Sequence, residues 1–414
     1  MSATPTDAAD ARPGRPAAPA ARVVDVLIAG GGPAGAVAAH ALAMAGRRAM
    51  IADPGRLRPG PAGGVSGGAG GAPAELKIGE ALPGAAAGFF RAAGLPPPDP
   101  DRHTRVRGSW SAWASGELEA TDFLRSPDGP GWRLDRPAFD AALREAAIDA
   151  GAGWRRARVV KVDRLVTDST GRDAGPDTAP LWRVDFSDGG PPVLARWLID
   201  ATGRRAAVAR QLGAGRLRDD RLIAIFARLC VTDGPMADPG FDRTVIEAVP
   251  EGWWYAARLP SGAVMAALHT TPATAARILA DRPRWHAARL AAPHLARLTG
   301  HADAGAALDQ IAACDAGGTA LDRLAGPGWI AAGDAGQAWD PLSAQGLLSA
   351  MHAGRQAARA VDAALGGDTS AVAQVVAAQA RLRAVYLSRL AAYYAQAAGR
   401  FAGAEFWAGR SGQG

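Results

Sequence analysis

The 414-residue chain is poor in lysine, in cysteine and in long apolar runs. Its 46 basic residues include only two lysines, Lys77 and Lys161, and the arginines are interspersed with acidic residues, which argues against nucleic-acid binding. Cys230 and Cys314 are too few for a disulfide framework and indicate a reducing compartment. No apolar run reaches the roughly 18 residues of a spanning helix. We expect a cytoplasmic protein.

The composition nevertheless supports an ordered core. The 52 glycines and 30 prolines are accompanied by 48% hydrophobic residues and 12 tryptophans, so the chain is globular rather than disordered. The length favours two to three domains. Residues 1–21 lack the features of a signal peptide and predict a disordered tail, and residues 54–73, mostly Gly, Pro and Ala, predict a mobile loop.

A βαβ unit opens the predicted fold. A strand at 23–28 leads into the pattern Gly30-x-Gly32-x-x-Gly35, an Ala-rich helix follows, and a second strand ends at Asp53. Gly30 permits the tight turn, Gly32 lets a pyrophosphate approach the backbone, and Gly35 lets helix and strand pack closely. Asp53 is placed to accept ribose hydroxyls. This context predicts a dinucleotide site; the alternative is a glycine-rich turn without a ligand.

The remaining elements predict an α/β fold with interleaved parts. Strands at 157–166, 181–187 and 193–200 are followed by an antiparallel meander within 221–231 and 244–270, then by a helical stretch at 273–312. A strand at 329–332, a helix at 343–365 and a long C-terminal helix complete the chain. The sequence contains no second glycine motif of this kind, so it does not predict a separate NAD(P)H domain.

Two further segments follow strands: Asp200-Ala201-Thr202-Gly203 and Gly333-Asp334. A third, from Pro341 to Gly346, leads into a helix. With the glycine loop they resemble the FAD-dependent monooxygenases and halogenases of the para-hydroxybenzoate hydroxylase type. The resemblance implies that Asp334 binds the ribityl chain and that backbone N–H groups of 341–346 lie beside the flavin pyrimidine edge.

The same resemblance divides the chain and extends the predicted cofactor contacts. It implies a discontinuous, Rossmann-type FAD-binding domain (22–83, 130–215 and 322–365), a substrate domain with an antiparallel sheet (84–129 and 216–321) and a C-terminal helical region (366–414). Arg136 is expected near the FAD phosphates, with a solvated helix-start charge as the alternative. The other predicted contacts are Ala34, Val160, Asp200, Gly333 and Leu347. For Asp200 a strand-end turn role is equally compatible.

Three segments narrow the resemblance. Residues 77–83, 252–255 and 339–346 are similar to halogenase-like flavoproteins and, among these, to the flavoproteins that mature tryptophylquinone cofactors (QhpG-, LodB- and GoxB-like). The resemblance implies hydroxylation of a tryptophan in a partner polypeptide through a C4a-hydroperoxyflavin. FAD, O2 and electrons from NAD(P)H or a partner reductase are required, and no metal is.

The scarcity of lysine favours hydroxylation over halogenation. Tryptophan halogenases use a lysine on the strand that corresponds to residues 104–113, where this chain has Arg105 and Arg107. Arginine stays protonated and does not form a haloamine. Because Lys77 precedes the Glu80 motif, a halogenase remains an alternative. A small-molecule aromatic hydroxylase and a non-catalytic flavoprotein maturation partner are the others.

The polar residues expected near the chemistry are Lys77, Glu80, His269, Asp340 and Gln345. Trp253, Trp254 and Tyr255 are predicted to line the substrate, with the core of the meander as the alternative. No Cys/His cluster with metal-ligand spacing occurs in the sequence.

Overall fold

The computed structural model describes residues 22–57, 78–165, 181–300 and 311–410. The predicted tail at 1–21, most of the predicted loop at 54–73, and Lys77 lie outside these ranges. None of the helices in the described ranges is long and apolar enough to cross a membrane.

The described strands are short, and most of them occur where the apolar pattern predicts them. In chain order they are β1 (Arg22–Ala29), β2 (Ala49–Ala52), β3 (Ala81–Leu82), β4 (Thr104–Val106), β5 (Gly108–Ala112), β6 (Glu119–Asp122), β7 (Gly131–Arg133), β8 (Gly153–Arg155), β9 (Val159–Leu165), β10 (Leu181–Phe186), β11 (Val193–Asp200), β12 (Arg216–Arg218), β13 (Ile223–Leu229), β14 (Arg243–Val249), β15 (Gly252–Arg258), β16 (Val264–Thr270), β17 (Ala312–Asp315), β18 (Thr319–Leu321), β19 (Ala325–Gly326), β20 (Trp329–Ala331) and β21 (Gln337–Ala338).

The described α-helices include the three that the sequence patterns locate most clearly, at the glycine loop, at Asp135 and near the C terminus. They are α1 (Pro33–Met44), α2 (Ala86–Ala93), α3 (Arg136–Asp149), α4 (Ala207–Gln211), α5 (Pro272–Ala280), α6 (Pro283–Ala291), α7 (Pro293–Thr299), α8 (Gly346–Leu365), α9 (Ser370–Ala398) and α10 (Glu405–Ala408).

The first large sheet is built on five parallel strands in the order β20-β11-β1-β2-β8. Strand β19 pairs antiparallel with β20 at the edge of the sheet. Strand β10 pairs antiparallel with β11, and β9 pairs antiparallel with β10. In parallel strands all carboxyl ends meet at one edge, so the loops after β1, β2, β11 and β20 lie together there. Strand β8, three residues long, is too short for the apolar pattern to have predicted it.

The second large sheet has seven strands in the order β17-β13-β16-β15-β14-β5-β6. Its centre is the predicted meander of β14, β15 and β16. Helices α5 to α7 cover one face, and residues from α9 and α10 pack on part of the other. The sheet therefore has two apolar faces, one of which also faces the parallel sheet.

Two predicted helix boundaries are corrected. The helix predicted from 343 begins at Gly346, because Pro341–Ser343 forms a separate 3-10 turn and Ala344 has a left-handed φ of +50°. Within the stretch that is predicted to be helical up to residue 312, the last described helix ends at Thr299. Ala312–Asp315 is instead a strand, and it pairs with β13.

Close packing of α1 against α8 generates a first prediction. A Cβ on Gly354 would lie 2.1 Å from the carbonyl oxygen of Ala34, so Gly354→Ala must push the two helices apart. We expect thermal unfolding to show a destabilisation of about 1–3 kcal/mol, as overpacking in cores costs. Gly88→Ala is the matched control: its Cβ meets nothing within 4 Å in helix α2, and we expect a gain of about 0.5–1 kcal/mol. Equal stability of both variants would contradict the packing.

Candidate functional site

The loop from β1 to α1 is shaped by its three motif glycines. Gly30 has a φ of +103°, and a Cβ there would lie 2.2 Å from the carbonyl oxygen of Ala201. A Cβ on Gly35 would lie 1.9 Å from the carbonyl oxygen of Gly30, whereas a Cβ on Gly32 would meet nothing within 4 Å. Gly30 and Gly35 thus allow close backbone packing, and Gly32 leaves open space at the start of α1.

Two charged side chains hold this loop. The Oδ2 of Asp53 accepts a hydrogen bond from the Gly31 N–H at 2.7 Å, and its Oδ1 accepts one from the Gly55 N–H at 2.7 Å. Arg144 of α3 is buried and donates from Nη1 to the Gly31 carbonyl at 3.3 Å. Asp53 therefore orders the glycine loop, and its contact with a ribose stays a prediction. Arg144 has no local sequence signature and was missed.

A cavity of about 400 Å³ lies between the carboxyl edge of the parallel sheet and one face of the seven-stranded sheet. This volume is within the range of about 300–1,000 Å³ that is usual for ligand sites. The sheet contributes Tyr255, Met265, Ala267, His269 and Cys314. The opposite wall contains seven predicted cofactor contacts: Gly32, Ala34, Arg136, Asp334, Pro341, Gly346 and Leu347.

Asp334 reaches this cavity from the loop after β20. Its side chain is 39% exposed, and Arg204 Nε lies 3.9 Å from its carboxylate. Arg204 also donates from Nη1 to the Gly317 carbonyl at 2.5 Å and from Nη2 to the Trp339 carbonyl at 3.2 Å. Arg204 thus fixes three loops around the cavity. In the sequence it is only one of two adjacent arginines, and its role was missed.

Arg136 lines the same cavity at the start of α3. Its Nη1 donates to the carbonyls of Ile78 at 3.2 Å and Gly79 at 2.8 Å, and its Nη2 lies 3.2 Å from the Asp140 carboxylate. The alternative of a solvated charge does not fit, because the side chain is only 11% exposed. Gly333 is not in the cavity wall: its φ of +60° and close approach to Ala34 fit the loop against α1.

The segment from Asp340 to Gly346, which we name the 340–346 loop, forms the wall beside Asp334. Asp340 is buried behind it: Oδ1 accepts from the Leu342 N–H at 2.8 Å and Oδ2 from the Tyr394 hydroxyl at 2.8 Å. Burial raises the pKa of Asp340 to about 7. The prediction that Asp340 acts on substrate is therefore corrected to a role in shaping the loop.

Gln345 is corrected as well. It is exposed and faces a neighbouring cavity of about 300 Å³ between α8 and α9, not the cavity that Asp334 lines.

Of the three predicted aromatic residues, only Tyr255 lines the cavity. Trp253 lies on the same face of the meander but is buried under Trp113 and Tyr394. The Trp253 ring stacks on His269 at 3.7 Å and 7°, and His269 itself lines the cavity. Burial lowers the pKa of His269 to about 3, so this imidazole is neutral at ordinary pH.

Trp254 belongs to the opposite face of the sheet. Successive residues of a strand point to opposite faces, and the Trp254 ring packs against Trp285 of α6 at 5.3 Å. Trp254 therefore belongs to the core of the meander, which is the alternative to its predicted contact with substrate.

Glu80 lies just behind the cavity wall. Among the described residues, neither carboxylate oxygen of Glu80 has a hydrogen-bond partner. Burial raises the pKa of Glu80, although the neighbouring Arg133 opposes this. Arg133, itself 1% exposed, donates from Nη1 to the Tyr255 hydroxyl at 2.5 Å and from Nη2 to Thr244 Oγ1 at 2.8 Å. Glu80, Arg133 and Tyr255 form one buried polar cluster that opens to the cavity only at Tyr255. Arg133 was not predicted.

Two predicted cofactor contacts are placed away from the cavity. The Asp200 carboxylate is fully buried and accepts hydrogen bonds from the N–H groups of Val208 and Ala209 and from Thr202, so it holds the start of α4. This agrees with the alternative for Asp200, a structural role in the turn after its strand. Val160, on strand β9, is 51% exposed and does not line the cavity.

The strand expected to contain a halogenase lysine presents no amine to the cavity. Arg105 lies over the Trp132 ring at 4.3 Å, and Arg107 pairs with Asp242 at 3.0 Å. Within the described ranges no lysine lines the cavity, and no group of three His, Cys, Asp or Glu residues is arranged to hold a metal ion.

Comparison with known proteins shows what the fold is. No protein family model matches the sequence. The chain is 25% identical over 244 residues to a protein of Marinomonas mediterranea that carries the name FAD-dependent oxidoreductase LodB; the match covers 57% of this chain and 57% of that protein. The chain thus spans little more than half the length of the curated relative.

Several solved structures match almost the whole chain, and two of them bear on the function. The myxobacterial chondrochloren halogenase CndH superposes with a TM-score of 0.74 at 20% identity, covering 94% of this chain and 86% of CndH. The peptidyl tryptophan dihydroxylase QhpG, essential for tryptophylquinone cofactor biogenesis, gives a TM-score of 0.71 at 22% identity, covering 94% and 79%. The chain therefore has the α/β fold of FAD-dependent monooxygenases and halogenases, with mixed sheets and a long C-terminal helix, as predicted.

The open space at Gly32 generates a prediction about the cofactor. Gly32→Ala adds a methyl group where a pyrophosphate would approach the backbone, while no described residue other than its chain neighbours has an atom within 4 Å of it. Because Gly32 is the N-cap of α1, where alanine is less favourable than glycine, we expect the variant without ligand to melt about 1–3 °C below the wild type. Its FAD dissociation constant should rise at least about tenfold, a change of about 1.4 kcal/mol. Unchanged FAD affinity would argue against this placement of the phosphates.

The buried Asp340 generates a prediction about pH. Its pKa in the folded protein is about 7, above the ordinary 3.8, so between these values the folded state binds more protons than the unfolded state. The free energy of unfolding should fall as the pH rises through this window, by at most about 4 kcal/mol. In Asp340→Asn this decline, measured by urea unfolding at pH 5 and pH 8, should be smaller. The exposed Asp101→Asn is the control; an identical decline in Asp340→Asn and wild type would contradict the assignment.

Proposed function

We propose that this protein binds FAD in the described cavity and is a flavin-dependent monooxygenase that hydroxylates an aromatic ring. One observation carries the proposal: the starts of helices α1 and α8 and the side chain of Asp334 line the same cavity as the apolar sheet face with Tyr255 and His269. FAD, when bound and reduced by its electron donor, would pass on the electrons and activate O2, which the side chains themselves cannot do.

The residues present fit such a cofactor. The start of α1 offers a partial positive charge and open space at Gly32 for an anionic pyrophosphate. The partly exposed Asp334 carboxylate accepts hydrogen bonds from the hydroxyls of a ribityl chain. The start of α8 at Gly346 stabilises negative charge on the pyrimidine edge of a reduced flavin. Arg136, which is held by Asp140 and two carbonyls, adds a fixed positive charge between these parts.

For the substrate we propose a tryptophan within a partner polypeptide, modified during tryptophylquinone biogenesis. The sequence and fold likeness to LodB and QhpG supports this choice. The sheet face also fits: Met265 and Ala267 offer an apolar surface for a flat ring, and the neutral His269 adds a polar group without a charge. The electron source is proposed to be NAD(P)H or a partner flavin reductase.

We propose that the polar cluster of Glu80, Arg133 and Tyr255 holds a proton that the hydroxylation reaction requires. Tyr255 lines the cavity, and its hydroxyl accepts a hydrogen bond from Arg133, which fixes its orientation. Burial raises the pKa of both Tyr255 and Glu80, so both groups keep their protons at higher pH than exposed residues do. Tyr255 is therefore our candidate for the group that touches the reacting molecule, with Glu80 as its buried neighbour.

Halogenation is the rival that the structural likeness to CndH favours. It requires an amine near the substrate, and within the described part of the chain the cavity wall has none. A hydroxylase of small aromatic molecules and a flavoprotein that binds its partner without oxygenating it are the other rivals. All four functions share the FAD site and differ in the product.

The deciding experiment reads product masses. The FAD-loaded protein is reduced and mixed with O2, bromide, free tryptophan and tryptophan-containing polypeptides encoded by neighbouring genes. We expect one or two oxygen atoms on a polypeptide. Bromine incorporation would replace the proposal by halogenation, oxygen on free tryptophan alone by a small-molecule hydroxylase, and a bound but unmodified polypeptide by a maturation partner.

Tyr255 generates a prediction for the same assay. Tyr255→Phe removes the hydroxyl that Arg133 orients and should lower the turnover number about 100-fold, the size of effect expected when a group that positions a proton at the reaction is lost. Tyr393→Phe is the matched control, since Tyr393 is 56% exposed, and should leave turnover unchanged. Full activity of Tyr255→Phe would remove Tyr255 from the mechanism.

A further inference from the structure

The C-terminal helix α9 contacts both walls of the cavity through one buried hydroxyl. Tyr394 is 4% exposed, and its hydroxyl donates to Asp340 Oδ2 at 2.8 Å while it accepts from Trp253 Nε1 at 3.1 Å. Asp340 belongs to the 340–346 loop and Trp253 to strand β15. We name these three residues the Tyr394 bridge.

On the side of the loop, the bridge determines where helix α8 begins. The Asp340 carboxylate caps the 3-10 turn of Pro341–Ser343 by accepting from the Leu342 N–H, and the chain then passes through the left-handed Ala344 to Gly346. A second tyrosine of α9 assists, because the Tyr386 hydroxyl accepts from the Asp340 N–H at 2.7 Å. Asp340 is 1% exposed, and its hydrogen bonds with Leu342, Tyr394 and Tyr386 hold it in place.

On the side of the sheet, the bridge holds the ring against which His269 lies. Trp253 and His269 are a cross-strand pair of β15 and β16, and their rings are 3.7 Å apart and nearly parallel. His269 lines the cavity opposite the 340–346 loop. Moving the Trp253 indole would therefore move part of the proposed substrate surface.

We propose that Tyr394 and Tyr386 are positioning residues: through Asp340 and Trp253 they set the 340–346 loop at a fixed distance from the substrate face of the meander. The inference rests on the proposed function, because it assumes that the loop borders FAD. Neither tyrosine touches the cavity, and both act through Asp340.

The test is a double-mutant cycle on FAD binding at pH 8, with the dissociation constant read from flavin fluorescence and the visible spectrum of bound FAD recorded in parallel. Tyr394→Phe leaves Asp340 and Trp253 with buried, unpaired polar atoms, and we expect the dissociation constant to rise about tenfold. The flavin absorption bands should shift, which a loss of global stability alone does not cause. The double variant Tyr394→Phe/Asp340→Asn should bind no more weakly than the weaker single variant, since coupled residues are non-additive.

Tyr386→Phe and Tyr393→Phe complete the series. Tyr386→Phe removes one hydrogen bond from a half-buried ring and carries the test if Tyr394→Phe does not fold; it should weaken FAD binding and shift the bands. Tyr393→Phe, the exposed neighbour, should match the wild type. Folded Tyr394→Phe or Tyr386→Phe with wild-type affinity and spectrum, or multiplicative effects in the cycle, would overturn the inference alone. A wild type that binds no FAD would overturn the proposed function and this inference together.

Discussion

Close packing around Ala34 determines the geometry of the cavity. A Cβ on Gly354 would overlap the Ala34 backbone, and a Cβ on Gly333 would lie 2.7 Å from the Ala34 Cβ. One residue further along α1, Gly35 lies against the turn at Gly30. Because glycine occupies each of these positions, α8, the loop after β20 and α1 approach one another at backbone distance. The start of α1 therefore packs against α8 at Gly354, and the positive ends of both helices line one cavity.

The opposite wall has a different physical basis. The meander is covered on one side by α5 to α7, and its other side is shared between the C-terminal aromatic residues and the cavity. Where aromatic rings cover it, the polar atoms of Trp253 and Tyr394 are paired with each other. Where the cavity begins, Tyr255 and His269 provide the polar groups. The buried C-terminal cluster thus sets how much of the sheet remains available to a substrate.

Local patterns predicted the elements that depend on local chemistry. The glycine motif located the start of α1, Asp135 and Pro137 located the start of α3, and alternation located the strands of the meander. Asp334, Arg136 and Gly346 were predicted through family resemblance, and the structure brings them to one cavity. Their contacts with FAD remain predictions.

Long-range contacts explain the failures. Alternation places Trp254 opposite Trp253 and Tyr255, but both faces of the meander are apolar, so the sequence does not show which face borders the cavity. Asp340 was expected at the chemistry because it adjoins the 341–346 motif, but the hydrogen bond that it accepts from Tyr394, 54 residues away in the chain, holds it behind the loop. Arg133 and Arg204 bind groups on distant segments, and a chain with so many arginines offers no local reason to choose them.

The central claim is that the two helix starts and the meander face enclose FAD. Hydrogen–deuterium exchange of the protein with and without FAD tests it directly, because exchange reports protection of individual backbone segments. The account predicts that FAD slows exchange in residues 31–37 and 344–350 and leaves the edge strand β6 unchanged. Saturating FAD that protects neither segment, or protects only segments outside the cavity, would contradict it.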